Sequence, residues 1–346
     1  MRVDASHHRC RGAFHRCDVT YSPAGPVADA VPPAPRRRRR PLRWASALLA
    51  LALATAASAE PFAFAVTGDA PYSHDERIRF ESMLGHLDAE TLAFVVHVGD
   101  IKSGQSECTD AIYLDRKRLF DSSKHPLVLI PGDNDWTDCD RWLGGRYVPE
   151  ERLGHLRSVF FATPESLGRS RLILERQAAD ATGCCPENSR WWQDEVLFLG
   201  LHVVGSADNR GGADQPKPEF VVRRAATLDW LAQGFAQARS RSARAAVVLI
   251  HADAGIEQPR PGGRVYADFF AALRRETEAF GRPVLLVHGD RHRFVLDRPW
   301  WNPETRTGVE NLVRLETFGS PTVGWVRVEV DPQSQAVFTV REGGRY

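Results

Sequence analysis

Five short apolar stretches of this chain each run into residues that can bind a metal ion. In chain order these residues are Gly68-Asp69, Gly99-Asp100, Gly132-Asp133-Asn134-Asp135, His251 and Gly289-Asp290-Arg291-His292. Each group follows a run of Val, Ile, Leu, Phe or Ala, which is typical of a buried strand in an α/β sheet. The carboxyl ends of such strands share one edge of the sheet, where ligands bind. We therefore expect side chains from distant parts of the sequence to converge on a metal site.

Helical patterns separate these stretches. Strands are predicted over 62–67, 92–98 and 126–130, and helices over 74–90 and 109–120. This alternation predicts a parallel sheet with right-handed crossovers. The later elements are a strand pair over 190–204, helices over 222–238 and 266–280, and strands over 245–250 and 283–287. Alternating residues at 311–316, 325–330 and 336–340 predict a second, antiparallel sheet.

The first 59 residues differ in composition from the rest of the chain. Residues 1–35 are rich in Pro, Ala, Arg and His and have no apolar period, so we predict disorder there, or a translation start assigned too far upstream. Residues 36–59 join five arginines, a short apolar run and the sequence Ala57-Ser58-Ala59, which is the pattern of an export signal. The run is too short to span a bilayer comfortably. We predict a periplasmic or secreted protein, with an uncleaved anchor as the alternative.

The charge and length of the remaining chain restrict its partners. Residues 1–59 hold ten Arg and three Asp, so residues 60–346 hold 35 basic and 41 acidic residues. A mildly acidic body does not attract nucleic acid or anionic membranes. Its length fits one large domain over 60–346. The oligomeric state cannot be read from these features.

Four cysteines lie beyond the predicted signal. Cys108 follows the second strand end and Cys139 follows the third, so both fall in loops at the same sheet edge. An even number of cysteines in an exported chain favours disulfides, and we predict that Cys108 and Cys139 are joined. Two free thiols are the alternative. The adjacent Cys184 and Cys185 can form a bridge, but the sequence does not decide this.

The order of the strand-end motifs resembles that of the calcineurin-like metallophosphoesterases, from residue 62 to about residue 340. The signature of that family runs D-x-H, G-D-x-x-D, G-N-H-[DE], a single His, then G-H-x-H. The resemblance implies an α/β fold of the αββα type, a sandwich of two sheets with a largely parallel central sheet and antiparallel C-terminal strands. It also implies two divalent metal ions, drawn from Mn, Fe, Mg or Zn, and a small phosphorylated substrate.

The resemblance also implies a set of metal ligands. These are Asp69, Asp100, Asp133, His251, Asp290 and His292. Asp100 would bridge two metals, while Asp133 replaces a family Asn and Asp290 a family His. Both residues supply an oxygen donor. Pro71 replaces a family His and cannot bind a metal, which leaves Tyr72, His74 or water as the missing ligand.

Asn134 occupies the place of the family histidine that protonates the leaving group. An amide can hydrogen-bond a phosphate oxygen but cannot act as an acid, so we expect Asn134 to orient the substrate. Asp135, His97 and His288 are alternative proton donors. Arg291 suits bidentate phosphate binding, or is a solvated loop charge.

These features imply hydrolysis of a phosphate ester or anhydride by a hydroxide that bridges the metals. One alternative is a protein of this fold that binds a metal or phosphorylated ligand without turnover. Another is a structural envelope protein whose Gly-Asp turns only end strands.

Overall fold

The structure is a computed structural model and describes residues 60–177, 184–253, 255–256, 263–302 and 304–346. The predicted disordered segment (1–35) and export signal (36–59) lie outside the described residues. Within the described ranges, no helix is both long and apolar enough to cross a bilayer.

Strands and helices follow one another in the predicted order. In chain order the strands are β1 (Phe62–Thr67), β2 (Val95–His97), β3 (Leu127–Leu129), β4 (Glu175–Arg176), β5 (Ser189–Gln193), β6 (Val196–Gly200), β7 (Ala245–Leu249), β8 (Val284–His288), β9 (Val295–Asp297), β10 (Trp301–Asn302), β11 (Thr307–Gly308), β12 (Leu312–Glu316), β13 (Gly324–Val330) and β14 (Phe338–Arg345). The α-helices are α1 (His74–Leu87), α2 (Asp110–Asp121), α3 (Pro149–Phe160), α4 (Pro218–Ser240) and α5 (Ala267–Phe280). Short 3₁₀-helices cover Thr137–Asp140, Ser206–Asn209 and Gly263–Tyr266.

Three of the helices begin at residues that suit a first turn. The side chain of Ser73 precedes α1 and accepts a hydrogen bond from the N–H of Glu76 at 3.2 Å. Helices α3 and α4 begin with Pro149 and Pro218. First-turn N–H groups have no partner inside a helix, so a capping oxygen stabilises them and a proline there removes nothing.

The strands form two mixed sheets. The first has the order β14-β13-β1-β2-β3, in which β1, β2 and β3 are parallel. The second has the order β4-β5-β6-β7-β8-β12-β9, in which β6, β7, β8 and β12 are parallel. Strands β10 and β11 form a separate small pair. The hairpin predicted over 190–204 is present as antiparallel β5 and β6.

Three apolar cores separate four layers. The middle core lies between the sheets and includes Phe64, Val96, Phe198, Val247 and Leu285. A second core joins α1, α2 and α3 to the outer face of the first sheet, and a third joins α4 and α5 to the second sheet. The predicted αββα sandwich is therefore confirmed.

The C-terminal strands β13 and β14 are antiparallel, as predicted, but the three strands after residue 310 do not form a second sheet of their own. Strand β12 lies parallel to β8 in the second sheet, whereas β13 pairs antiparallel with β1 and extends the first sheet. Strand β14 pairs antiparallel with β13. Alternating residues show that a strand has two different faces, but they do not identify the strand beside it.

Candidate metal centre

Residues from both sheets meet where the parallel strands end. The ring of His251, just after β7, places Nε2 2.8 Å from Oδ1 of Asp133 and 3.4 Å from Oδ1 of Asp100. Nε2 of His292 lies 3.5 Å from Oδ1 of Asp69. The N–H of Asp290 donates to both oxygens of Asp69 at 3.0 and 3.1 Å. The structure thus brings together all six predicted ligands.

Two subsets of these ligands are compact enough to hold an ion. One donor atom each from Asp69, Asp100 and His251 lies within 4.8 Å of the others, and the same is true of Asp133, His251 and Asp290. His251 belongs to both subsets. Oxygen donors with imidazole nitrogen suit divalent ions such as Mn²⁺, Fe²⁺, Mg²⁺ and Zn²⁺.

The backbone at these strand ends bends sharply. Asp69, Asp100, Asp290 and His292 have φ values of 50°, 58°, 79° and 61°, in the left-handed region that Asp adopts more readily than most residues. Gly132 also matters, because a Cβ there would overlap the carboxylate of Asp100. A glycine therefore lets that loop approach the acidic side chain closely.

Both imidazoles present Nε2 to the site. Nδ1 of His251 lies 2.8 Å from the carbonyl oxygen of Val98, and Nδ1 of His292 lies 2.7 Å from that of Ser320. A carbonyl oxygen only accepts hydrogen bonds, so each Nδ1 carries a proton. This arrangement fixes the ring and leaves Nε2 for a metal, as in most histidine metal sites.

The acidic side chains are crowded and buried. Burial raises the pKa of Asp69 and Asp100 well above the usual range of a carboxyl, and nearby carboxylates raise it further. Burial also opposes ionisation of Asp133, but hydrogen bonds from His251 and Ser206 outweigh it and lower the pKa to about 2. For His251, burial lowers the pKa but Asp100 and its neighbours raise it well above 6.5. Bound cations would relieve this repulsion, so the residues fit a metal centre.

Tyr72 lies in the gap that Pro71 leaves. Its hydroxyl donates to Oδ2 of Asp100 at 2.8 Å and lies 3.3 Å from Nε2 of His292. Burial and the charge of Asp100 raise the pKa of Tyr72. His74 is exposed at the start of α1. Of the two side chains named as replacements for the missing histidine, only Tyr72 reaches the predicted ligands.

Asn134 faces the same carboxylate. Its backbone N–H donates to Oδ1 of Asp100 at 2.9 Å, and its side-chain amide donates to Oδ2 and to the hydroxyl of Tyr72. Asn134 lines an open cleft of about 300 Å³ together with Asp133 and His292. Its amide can therefore reach both a bound ligand and Asp100.

The position of Asp135 does not fit the expected catalytic role. Its side chain is fully buried. Its two oxygens accept the N–H groups of Asp100, Ile101 and Gly132 at 3.1, 2.7 and 2.7 Å. A carboxylate held by three backbone donors orders the loops around it and does not face the cleft.

The alternative proton donors are also enclosed. Nε2 of His97 donates to the carbonyl of Ala70 at 2.8 Å, and burial lowers the pKa of His97 to about 4. His288 is buried as well. Neither histidine is among the residues that line the cleft.

Arg291 contacts Asp253 through its Nε, rather than lining the cleft. A different arginine, Arg141, stands on the rim. Its Nη1 lies 2.7 Å from Asp138, and its Nη2 donates to Ser206 at 3.1 Å. No sequence motif marked Arg141, because it lies in an irregular loop after the third strand end.

The predicted disulfide between Cys108 and Cys139 is confirmed, with a Cα–Cα distance of 5.7 Å. It links the loop after β2 to the 3₁₀-helix after β3. Both segments contribute to the cleft, through Gln105 and Asp138. Cys184 and Cys185, whose pairing the sequence left open, are also joined.

Comparison with known proteins found solved structures that are similar to this chain. No protein-family model matches the chain, and no curated protein matches it. Among solved structures, PhoD is similar with a TM-score of 0.51 and 12% identity over 80% of this chain, which spans 65% of PhoD. A dimetal phosphatase from Danio rerio has a TM-score of 0.49 and 10% identity, over 78% of this chain and 93% of that protein. The purple acid phosphatase PPD1 from yellow lupin (Lupinus luteus) seeds has a TM-score of 0.47 and 12% identity, over 82% of this chain and 53% of that protein.

These identities are low, so the likeness concerns the fold. The likeness to PhoD agrees with the two-sheet sandwich of this chain. The chain has the fold of the calcineurin-like metallophosphoesterases.

Proposed function

We propose that this protein is a metal-dependent phosphoesterase that hydrolyses a small phosphate ester or anhydride. The observation that carries the proposal is the convergence of Asp69, Asp100, Asp133 and His251 beside an open cleft. Buried acids at that density are costly unless cations lie among them. An open cleft lined by several of these residues would give a phosphate group access to bound ions.

The six predicted ligands, Asp69, Asp100, Asp133, His251, Asp290 and His292, would hold two divalent ions. Bound there, the ions would neutralise the phosphate charge and lower the pKa of an attacking water.

The chain's own groups would position the substrate. The amide of Asn134 would donate to a phosphate oxygen the N–H that now faces the hydroxyl of Tyr72 and keep its bond to Asp100. The guanidinium of Arg141 would add a positive charge at the rim of the cleft. Its planar N–H donors match the geometry of a phosphate group. The hydroxyl of Tyr72 would keep Asp100 oriented through their hydrogen bond.

The lack of an acid at Asn134 bears on the substrate class. General acid assistance is worth about 10²–10⁴-fold. Without a general acid, the rate of hydrolysis falls least for a substrate whose leaving group is stable as an anion. We therefore expect aryl phosphates and phosphoanhydrides to be hydrolysed faster than alkyl esters.

The test is turnover of p-nitrophenyl phosphate, bis(p-nitrophenyl) phosphate and a nucleoside diphosphate. Activity should disappear after treatment with a chelator and return with Mn²⁺. Asp100→Asn should lower the rate by at least about 10²-fold. The exposed control Asp229→Asn, on α4, should keep the wild-type rate. Metal-loaded wild type that turns over none of these substrates would contradict the proposal.

A second candidate is a protein that binds a metal or a phosphorylated ligand without turnover. The hydrogen bonds of Asn134 to Asp100 favour it, since they hold groups in place and move no proton. Metal-dependent binding of inorganic phosphate by a protein without turnover would support this candidate.

We also propose that the protein is exported to the periplasm or secreted. The arginine run, the apolar run and Ala57-Ser58-Ala59 support this, as does the joined pair Cys108 and Cys139. N-terminal sequencing of protein recovered from the periplasm or medium should begin at Glu60. Recovery of the chain only from the cytoplasm would contradict the proposal.

A further inference from the structure

Another group of buried metal-ligating side chains lies outside the six predicted ligands. It consists of Asp253, His288 and Glu316, each less than a tenth exposed. One donor atom from each lies within 4.8 Å of the others. Sequence patterns did not mark Asp253 or Glu316, because neither follows a Gly-Asp motif.

The topology explains why these residues meet. Strands β7, β8 and β12 are neighbours in the second sheet and run parallel. His288 and Glu316 are the last residues of β8 and β12, and they are paired in register. Asp253 follows β7 by four residues. Side chains at paired positions of adjacent strands lie on the same face of a sheet.

Two polar atoms of this group have no hydrogen-bond partner among the residues that the structure describes. They are Nε2 of His288 and Oε2 of Glu316, both buried. Nδ1 of His288 lies 2.9 Å from the carbonyl oxygen of Gly289, so Nδ1 carries the proton and Nε2 keeps a free lone pair. A buried polar atom without a partner is unusual in a folded protein and calls for an explanation, such as a bound ion.

Two arginines contact the carboxylates of this group, but neither hydrogen-bonds to Nε2 of His288 or Oε2 of Glu316. Arg291 contacts Oδ2 of Asp253. Arg293 donates its backbone N–H to Oε1 of Glu316 at 3.2 Å, while its Nη2 stays 3.8 Å from Oε2.

We propose that Asp253, His288 and Glu316 bind a divalent cation of the Zn²⁺ or Mn²⁺ class, separate from the centre formed by the six predicted ligands. One imidazole nitrogen and two carboxylate oxygens make a ligand set that such ions accept, with water completing the coordination. The cation has a structural role. It ties the ends of β7, β8 and β12 together.

This site bears on the candidate metal centre through one hydrogen bond. The backbone N–H of Asp253 donates to Oδ2 of Asp290 at 2.9 Å. A cation on the side chain of Asp253 therefore holds the turn that orients Asp290. The inference goes beyond the proposed function and does not require the protein to be a phosphoesterase.

The test is zinc content after equilibrium dialysis of the full chain against Zn²⁺, measured by mass spectrometry. Glu316→Gln should bind one Zn²⁺ per chain fewer than wild type. Asp100→Asn should lose zinc from the other centre and keep this ion, and the two losses should add in the double variant. Equal zinc content in Glu316→Gln and wild type overturns this inference. Equal content in Asp100→Asn and wild type instead overturns the metal centre of the proposed function.

A second measurement removes the dependence on one variant. Crystals of wild type grown with Zn²⁺ should show anomalous difference density among Asp253, His288 and Glu316. If Glu316→Gln does not fold, as judged by circular dichroism, His288→Gln takes its place in the zinc measurement. Density only at the six predicted ligands, or water among the three residues, overturns the inference.

Discussion

Buried carboxylates in two parts of this protein are neutralised in different ways. Asp208 is fully buried, and Arg223 and Arg224 contact its two oxygens at 2.8 and 2.6 Å. Asp69 and Asp100 are equally buried, yet among the described residues the ion pairs within 4 Å of them come from imidazoles alone. Asp208 is therefore neutralised by arginines of the chain itself.

This difference separates a structural cluster from a candidate site. An ion pair complete within the chain needs nothing else and stabilises the fold only while both partners remain. An acidic cluster that forms no close ion pair with arginine or lysine is stable only when protons or metal ions bind to it. The arrangement of compensating charge, rather than burial, therefore points to the site.

The largest expected effect on stability is at Asp208. Asp208→Asn leaves two buried arginines without their shared carboxylate and should lower the free energy of unfolding by about 3 kcal/mol. Urea unfolding of the metal-loaded protein measures this change. The exposed control Asp229→Asn should change it by less than about 0.5 kcal/mol. A similar small loss for Asp208→Asn would remove the distinction between the two groups.

His97 extends the comparison to a buried base. Its two ring nitrogens bond to backbone groups of Ala70 and Gly99, and burial lowers its pKa to about 4. The pKa of His97 is lower in the folded protein than its unfolded value of about 6.5. Its contribution to the free energy of unfolding is therefore complete above pH 6.5 and falls as the pH drops toward 4.

The contribution of His97 should amount to up to about 3 kcal/mol across that window. Unfolding free energies at pH 7 and pH 4.5 should therefore differ less in His97→Gln than in wild type. The exposed His74→Gln should keep the wild-type difference. An unchanged pH dependence in His97→Gln would show that the folded protein accommodates the charged ring.

Asp135 represents a third way to satisfy a buried carboxylate, since its hydrogen bonds from described residues all come from the backbone. In Asp135→Asn an amide N–H would face one of those donors, so we expect a loss of about 1–3 kcal/mol. Thermal unfolding measures it, with the exposed Asp140→Asn as control. A loss of turnover without any loss of stability would restore the catalytic role first expected for Asp135.

The smallest expected effect is at Tyr72. Tyr72→Phe removes one hydrogen bond to Asp100 and should weaken Mn²⁺ binding by about 2–10-fold. Calorimetric titration of the metal-free protein measures the affinity. A loss beyond about 100-fold would instead make the hydroxyl a ligand in its own right. An unchanged Mn²⁺ affinity would show that the hydroxyl of Tyr72 does not contribute to binding of the ion.

Much of the fold and of the ligand set could be predicted from sequence. A Gly-Asp pair directly after a buried apolar run marks the carboxyl end of a strand, and parallel strands end at one edge. Asp69 and Asp100 lie in such pairs, and His251 directly follows the apolar run 245–250. The disulfide between Cys108 and Cys139 followed from the same edge.

The remaining features depend on the direction in which a side chain points after a turn. Asp133 and Asp135 are two residues apart, yet one contacts His251 and the other the backbone. Arg291 turns toward Asp253, and Tyr72 toward Asp100. Spacing does not determine these directions, because left-handed residues at the strand ends change the path of the chain.

The central claim is that cations compensate the acidic strand ends. Its most direct test is the melting temperature of wild type and Asp100→Asn, each treated with a chelator and then supplied with Mn²⁺. Wild type should gain about 5 °C or more at a hundredfold excess over the dissociation constant, and Asp100→Asn clearly less. A wild-type melting temperature that neither chelation nor Mn²⁺ changes would contradict the account.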